Sequence, residues 1–111
     1  MSYSFVVEEE ILIVKIEEKR ATVEFSETLK NDLLKKIEQG NSKVIIDLNK
    51  VEFVDSSFLG TLVAGLKRTA IKNGDLKIVD LQEPVRTMFE LTRLYKVFEI
   101  FDRVEDALNS F

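Results

Sequence analysis

Apolar residues recur along the chain with two different spacings, and the change of spacing divides the chain into strands and helices. Residues 3–7 and 11–16 are rich in β-branched side chains, alternate in part, and are separated by Glu8, Glu9 and Glu10. This pattern predicts an N-terminal β-hairpin with an acidic turn.

The next apolar residues recur at every fourth position, which predicts an amphipathic helix. The stripe consists of Phe25, Leu29, Leu33 and Ile37, with Leu34 beside it. Ser26 followed by Glu27 is the predicted cap of this helix, and Thr22 is the alternative. Gly40 follows the last periodic residue and suits a left-handed helix stop.

Two nearly continuous apolar runs, residues 43–48 and 76–81, predict strands covered on both faces of a sheet. Between them, residues 58–72 have helical spacing, and Asn73-Gly74 predicts the end of that helix. Because a strand–helix–strand connection requires a crossover, we expect the two strands to be parallel.

The last third of the chain predicts a helix, a short strand and a final helical turn or two. Pro84 suits a first helical turn, and residues 95–101 predict a short strand and its approach. The two helical stripes are Val85, Met88, Phe89 and Thr92, and then Val104, Ala107, Leu108 and Phe111. The predicted order is ββαβαβα(β)α. We therefore expect a single α/β domain over residues 1–111, with a mixed, mostly parallel sheet and helices.

Composition narrows the possible chemistry. The chain of 111 residues has no Cys, His or Trp. Disulfides, Cys- or His-based metal sites and His-dependent nucleophilic catalysis are therefore excluded, and we expect no catalytic residues, metal or cofactor. The absence of Cys, of a signal peptide and of an apolar run of about 20 residues favours a cytoplasmic protein without a membrane partner.

The net charge of −4 argues against direct nucleic-acid binding, which depends on Lys and Arg neutralising phosphates. The basic pairs Lys35-Lys36 and Lys67-Arg68 are small and mixed with acidic residues. They are more typical of solvated helix faces.

The stretch from Val51 to Gly60 places an acid and two hydroxyls, Asp55, Ser56 and Ser57, where a helix should begin. Spacing and composition alone favour helix capping. Catalysis is not indicated, because no His can activate a serine. The alternative is modification, since a phosphoserine adds about −1.5 to −2 charge and would lie at the positive end of the helix dipole.

Two glycines, Gly60 and Gly65, fall inside the same predicted helix. Each costs about 1 kcal/mol relative to Ala in a helix interior. Close packing of the helix on the sheet is the favoured explanation. The alternative is that Gly60 leaves a flat surface for a partner near the helix start.

The runs VIIDL at 44–48 and VEFVDSSFLG at 51–60 together resemble the signature of bacterial anti-sigma-factor antagonists, the STAS domain family. Further similarity covers the N-terminal hairpin and the segments 27–30, 73–76 and 85–94. The resemblance therefore extends over nearly the whole chain.

This resemblance implies a protein that binds an anti-sigma factor and so frees a sigma factor. In the family, the anti-sigma factor is also an ATP-dependent serine kinase with the histidine-kinase-like ATPase fold. It phosphorylates the first hydroxyl residue after the conserved Asp, here Ser56, with Ser57 as second choice. Phosphorylation ends the binding, and a PP2C-like phosphatase restores it. The chain would be a kinase substrate and not an enzyme.

The partner-binding surface implied by the resemblance runs from the acid through the first helical turn. It comprises Asp55, Ser56, Ser57, Phe58, Leu59 and Gly60. The family usually has Gly where this chain has Phe58, and we expect the ring to alter the contact surface or to add an anchor to it. Lys19 and Thr22 stand where the family often has the Gly and Asp of a Gly-x-x-Asp element.

Two other functions stay open at this stage. The chain could be a STAS interaction module in another signalling assembly, without a sigma factor as the final target. It could also bind a small ligand such as a nucleotide, with the helix start as the anion site. No Gly-rich phosphate loop supports the second alternative.

Overall fold

The computed structural model describes residues 2–111. Its elements, in chain order, are β1 (Tyr3–Glu8), β2 (Ile11–Ile16), β3 (Arg20–Ala21), α1 (Val23–Glu38), β4 (Lys43–Asp47), β5 (Phe53–Val54), α2 (Ser56–Ile71), β6 (Asp75–Val79), α3 (Glu83–Leu91), a 3-10 turn (Leu94–Lys96), β7 (Ile100–Phe101) and α4 (Val104–Ser110).

The main sheet has five strands in the order β1-β2-β4-β6-β7. β1 pairs antiparallel with β2, and every other neighbouring pair in this sheet is parallel. The hairpin, the parallel central strands and the α/β class predicted from the sequence are therefore confirmed.

The sheet lies between two layers of helices. Successive strand residues point to opposite faces, and both faces carry apolar residues that the helices cover. One face carries Val14, Val44 and Ile78, and the buried stripes of α1, α2 and α3 pack against it. On the other face, Ala107 of α4 packs with Ile45 of β4. Among the described helices, none is both long enough and apolar enough to cross a membrane.

The structure corrects the predicted cap of α1. The helix begins at Val23 with Thr22 at the N-cap, as in the alternative prediction, and the side chain of Thr22 makes no capping hydrogen bond. Ser26 is buried inside the helix, and its hydroxyl donates to the Thr22 carbonyl at 2.6 Å. Ser26 lies on the face of α1 that packs against α2, where its carbonyl accepts a hydrogen bond from the Thr61 hydroxyl.

Both predicted helix stops are confirmed, although the glycines serve different needs. Gly40 has a φ of 114°, the left-handed region that favours glycine. After α2 the left-handed residue is Asn73, with a φ of 62°. Gly74 is required by close approach, because a Cβ there would lie 1.9 Å from the Ser42 carbonyl oxygen.

Candidate functional site

The carboxylate of Asp55 caps two helices at once. It is the N-cap of α2, and its Oδ1 accepts a hydrogen bond from the Phe58 amide at 2.9 Å. Its Oδ2 accepts a second bond at 2.8 Å from the amide of Val23, the first residue of α1. Helix capping by Asp55, the interpretation favoured by spacing alone, is confirmed and extends to a second helix 32 residues earlier.

A second, two-stranded sheet brings these helix starts together. β3 and β5 pair in parallel, with Ala21 opposite Val54. The Asp55 amide then donates to the Ala21 carbonyl at 3.2 Å. Because each strand leads directly into a helix, their pairing fixes the starts of α1 and α2 side by side. This sheet was not predicted from the sequence, since two-residue strands have no detectable period.

The turn before β5 is shaped by Asp47 at the end of β4. Its Oδ1 accepts a hydrogen bond from the Asn49 amide at 3.0 Å. Burial raises the pKa of the Asp47 carboxyl above its ordinary value. The hydrogen bond to Asn49 stabilises the turn that leads from β4 towards β5 and the serines at the start of α2.

Ser56 and Ser57 are the first two residues of α2, and both are exposed. They line an open cavity of about 300 Å³ between the starts of α1 and α2. The α1 wall of the cavity carries one acid and one base, Glu27 and Lys30. The two hydroxyls are therefore accessible to a partner at the positive end of a helix dipole.

Phe58 and Leu59 do not lie on this surface. Phe58 is fully buried, its ring centroid is 6.0 Å from that of Phe25, and Leu59 is 5% exposed. Neither side chain is therefore exposed for the partner contact that the resemblance implies. An effect of Phe58 on the contact surface stays a prediction. Phe58 begins the buried stripe that continues at Leu62, Gly65 and Thr69.

The two glycines of α2 differ. A Cβ at Gly65 would lie 2.8 Å from Leu76 Cδ1 and 2.9 Å from Leu33 Cδ2, so the predicted close packing is confirmed there. Gly60 is exposed, and nothing lies within 4 Å of a Cβ added to it. Close packing does not explain Gly60, which leaves the wall of the serine cavity flat.

Gly60→Ala is expected to stabilise the free protein by about 0.5–1 kcal/mol, because Ala is the better helix former and the methyl group meets open space. Gly65→Ala should instead destabilise it, since two buried leucines would have to move. Urea unfolding of the two variants measures both effects. A loss of stability in Gly60→Ala would show that the glycine has a structural role that its surroundings do not reveal.

An apolar rim, formed by Val23 and Phe53, lies on the surface around the helix starts and was not predicted from the sequence. Val23 is 62% exposed, and Phe53 is 41% exposed with the Arg20 guanidinium 4.3 Å from its ring centroid. Val23 lines the cavity together with Ser56, and Phe53 lies in β5, three residues before Ser56 in the chain. Their exposure depends on tertiary structure, and no period in the sequence marks them.

The site offers no ligand set for a metal. Within residues 2–111, no group of three Asp, Glu, His or Cys residues is placed to hold an ion. The arrangement consists of two accessible hydroxyls, a carboxylate already engaged by two amides, and a partly apolar rim. Such a surface suits recognition and covalent modification.

The mixed sheet, its helices and this serine-bearing helix start define a class of small α/β domains, and the sequence places the chain within it. The profile of the STAS domain family matches residues 3–107, so the protein belongs to the STAS domain family. An anti-sigma F factor antagonist of Paenibacillus polymyxa is 29% identical over 65 residues. These residues are 59% of this chain and 56% of that relative, so the match spans little more than half of its length.

Solved structures share the whole architecture. An anti-sigma-factor antagonist (STAS) domain protein from Planctomyces limnophilus has a TM-score of 0.89 at 22% identity, over 97% of this chain and 96% of that chain. The Bacillus anti-sigma factor antagonist SpoIIAA in its unphosphorylated form has a TM-score of 0.77 at 15% identity, over 97% and 94%. Its phosphorylated form has the same TM-score at 16% identity, over 97% of both chains. The resemblance noted in the sequence is confirmed, and these structures establish the shared fold.

Proposed function

We propose that this protein is an anti-sigma factor antagonist whose binding to its partner is ended by phosphorylation of Ser56. The observation that carries the proposal is the exposed position of Ser56 as the first residue of α2, directly after a capping Asp, in a chain of the STAS family. The partner is an anti-sigma factor that is also a serine kinase with the histidine-kinase-like ATPase fold. A PP2C-like phosphatase removes the phosphate. Partner binding, phosphorylation and dephosphorylation all take place in the cytoplasm.

Binding uses the exposed part of the serine site. Ser56, Ser57 and the flat surface at Gly60 form the α2 side, and Val23 lines the same cavity. The exposed ring of Phe53, in the strand that leads into α2, extends the apolar rim. Asp55 contributes by fixing the geometry, because both of its carboxylate oxygens are engaged by backbone amides. Phe58 and Leu59 pack in the core and so hold the first turn of α2 in place.

The phosphate acts through charge and leaves the fold intact. The first turn of α2 contains no acidic residue, and the carboxylate of the N-cap Asp55 is engaged by two backbone amides. A phosphate at Ser56 would lie at the positive end of the helix dipole, which offsets its repulsion from Asp55. A partner packed on the site would have to remove water from a dianion, which costs several kcal/mol without a matching cation. The complex is lost while the fold persists.

Ser56 is preferred to Ser57 by the family pattern, and the structure leaves both hydroxyls accessible. The choice is tested by incubating the protein with candidate kinases of the histidine-kinase-like fold and ATP. Fragmentation mass spectrometry then locates the phosphate, with Ser56→Ala and Ser57→Ala as matched controls. Phosphate on Ser57 alone would reassign the site. No phosphate with any such kinase would favour an interaction module or a ligand-binding function.

A further inference from the structure

Two polar contacts join α1 to α2 near the serine site, and they differ in depth. The Thr61 hydroxyl donates to the Ser26 carbonyl at 3.1 Å in a buried position. One turn closer to the helix starts, the Asp55 carboxylate accepts from the Val23 amide at 2.8 Å in an exposed position. The outer contact therefore controls only the first turn of α1, since the inner one holds the helix behind it.

Asp55 is the side chain that engages the first amide of α1. Thr22 stands at the N-cap of this helix and makes no side-chain capping bond. The first amides of a helix have no partner within the helix, so Val23 depends on an external acceptor. That acceptor is the residue directly before Ser56, which makes the start of α1 sensitive to events at the start of α2.

A phosphate on Ser56 would be carried by the residue that directly follows Asp55 in the chain. The phosphate and the Asp55 carboxylate would repel each other. They would also compete for hydrogen bonds from the backbone amides at the start of α2. The Phe58 bond of Asp55 is partly buried, whereas its Val23 bond is exposed to solvent. The exposed bond is the one more easily exchanged for water, so it breaks first.

We propose that Asp55 is a positioning residue which transmits phosphorylation of Ser56 from α2 to α1. When the phosphate is added, the carboxylate leaves the Val23 amide and the first turn of α1 loosens. The α1 wall of the cavity then changes as well, because that turn carries Val23. This inference rests on the proposed modification of Ser56 and adds how the signal reaches the neighbouring helix.

The test uses the full chain with phosphoserine installed at position 56 during translation, so it requires no kinase. Backbone amide hydrogen exchange is followed by NMR at Val23, at Phe58 and, as an internal control, at Leu33 in the middle of α1. We expect exchange at Val23 to rise about tenfold, the order lost with a hydrogen bond to a charged acceptor. Phe58 and Leu33 should stay protected.

Asp55→Asn identifies the route of the effect. The amide side chain keeps the shape but has one acceptor oxygen, so it caps α2 and leaves Val23 without a partner. Val23 should then exchange about tenfold faster without any phosphate, and adding phosphoserine 56 should produce no further change. Asp55→Ser, which also retains a good cap for α2, serves if the Asn variant does not fold. Glu24→Gln controls for the loss of one negative charge in the first turn of α1.

The outcomes separate this inference from the proposed function. Unchanged exchange at Val23 in the phosphoserine chain would overturn the inference, and so would an undiminished phosphate effect in Asp55→Asn. Neither result would bear on whether a kinase modifies Ser56. Conversely, failure of all kinases to modify Ser56 would leave the exchange measurement intact and would refute the proposed function.

Discussion

Ser56→Asp is expected to weaken binding to the anti-sigma partner by about 100-fold or more, while the free energy of unfolding changes by less than about 1 kcal/mol. A hundredfold loss corresponds to about 2.7 kcal/mol, within the cost of bringing an uncompensated charge into an interface. Ser56 is exposed at the first position of α2, where the helix dipole offsets the repulsion between a new carboxylate and Asp55, so the free protein tolerates the substitution. Titration calorimetry and urea unfolding measure the two quantities.

Ser56→Asn is the matched control, because it has nearly the size of Asp without the charge. It should bind within about threefold of wild type, as should Ser56→Ala, which in addition cannot be phosphorylated. If Asn weakens the complex as much as Asp, the effect is steric and the charge switch is wrong. Wild-type affinity in Ser56→Asp would contradict the switch as well.

Most of the fold follows from local patterns in the sequence. The stripes Leu29–Leu33–Ile37 and Val85–Phe89 face the core, and most of the apolar runs at 43–48 and 76–81 lies in the adjacent parallel strands β4 and β6. These elements are long enough for their apolar period to be read without knowledge of the neighbours. The strand β7 was only partly predicted, because a 3-10 turn occupies the start of that segment.

The site was predicted in part, because its geometry depends on contacts between distant residues. The sequence located Asp55, Ser56 and Ser57 at a helix start. It did not reveal that Asp55 also reaches Val23, since that bond requires the β3–β5 pairing to bring the two helix starts together. Likewise, the exposure of Phe53 follows from the position of a two-residue strand, and no sequence period encodes it.

Phe58→Ala is expected to lower the free energy of unfolding by about 3–5 kcal/mol, the largest stability effect predicted for this chain. The side chain is fully buried between α2, α1 and the sheet, and its ring contacts that of Phe25. Small domains have a total stability of about 5–15 kcal/mol, so the variant will be largely or partly unfolded under mild denaturant. Urea unfolding followed by circular dichroism measures the loss.

Phe53→Ala is the matched control on the surface. The ring is 41% exposed and rests on Arg20, so its removal should cost about 1 kcal/mol or less. Phe58→Leu preserves most of the buried volume and should cost less than about 1.5 kcal/mol. Equal losses for the two alanine variants would contradict the burial of Phe58.

Phe58→Leu also separates a core residue from a partner anchor, because the variant remains folded and can be tested for binding. A buried ring acts on the partner only through the position of the first turn of α2, so affinity should stay within about threefold of wild type. An anchor would lose much of its contact area in the same substitution and weaken the complex far more. Since Phe58 is the third residue of α2 and its amide is held by Asp55, its ring fills the core directly beneath the two exposed serines. Phe58 therefore stabilises the helix start that presents Ser56, and the partner is expected to contact the serines and the apolar rim instead of the ring.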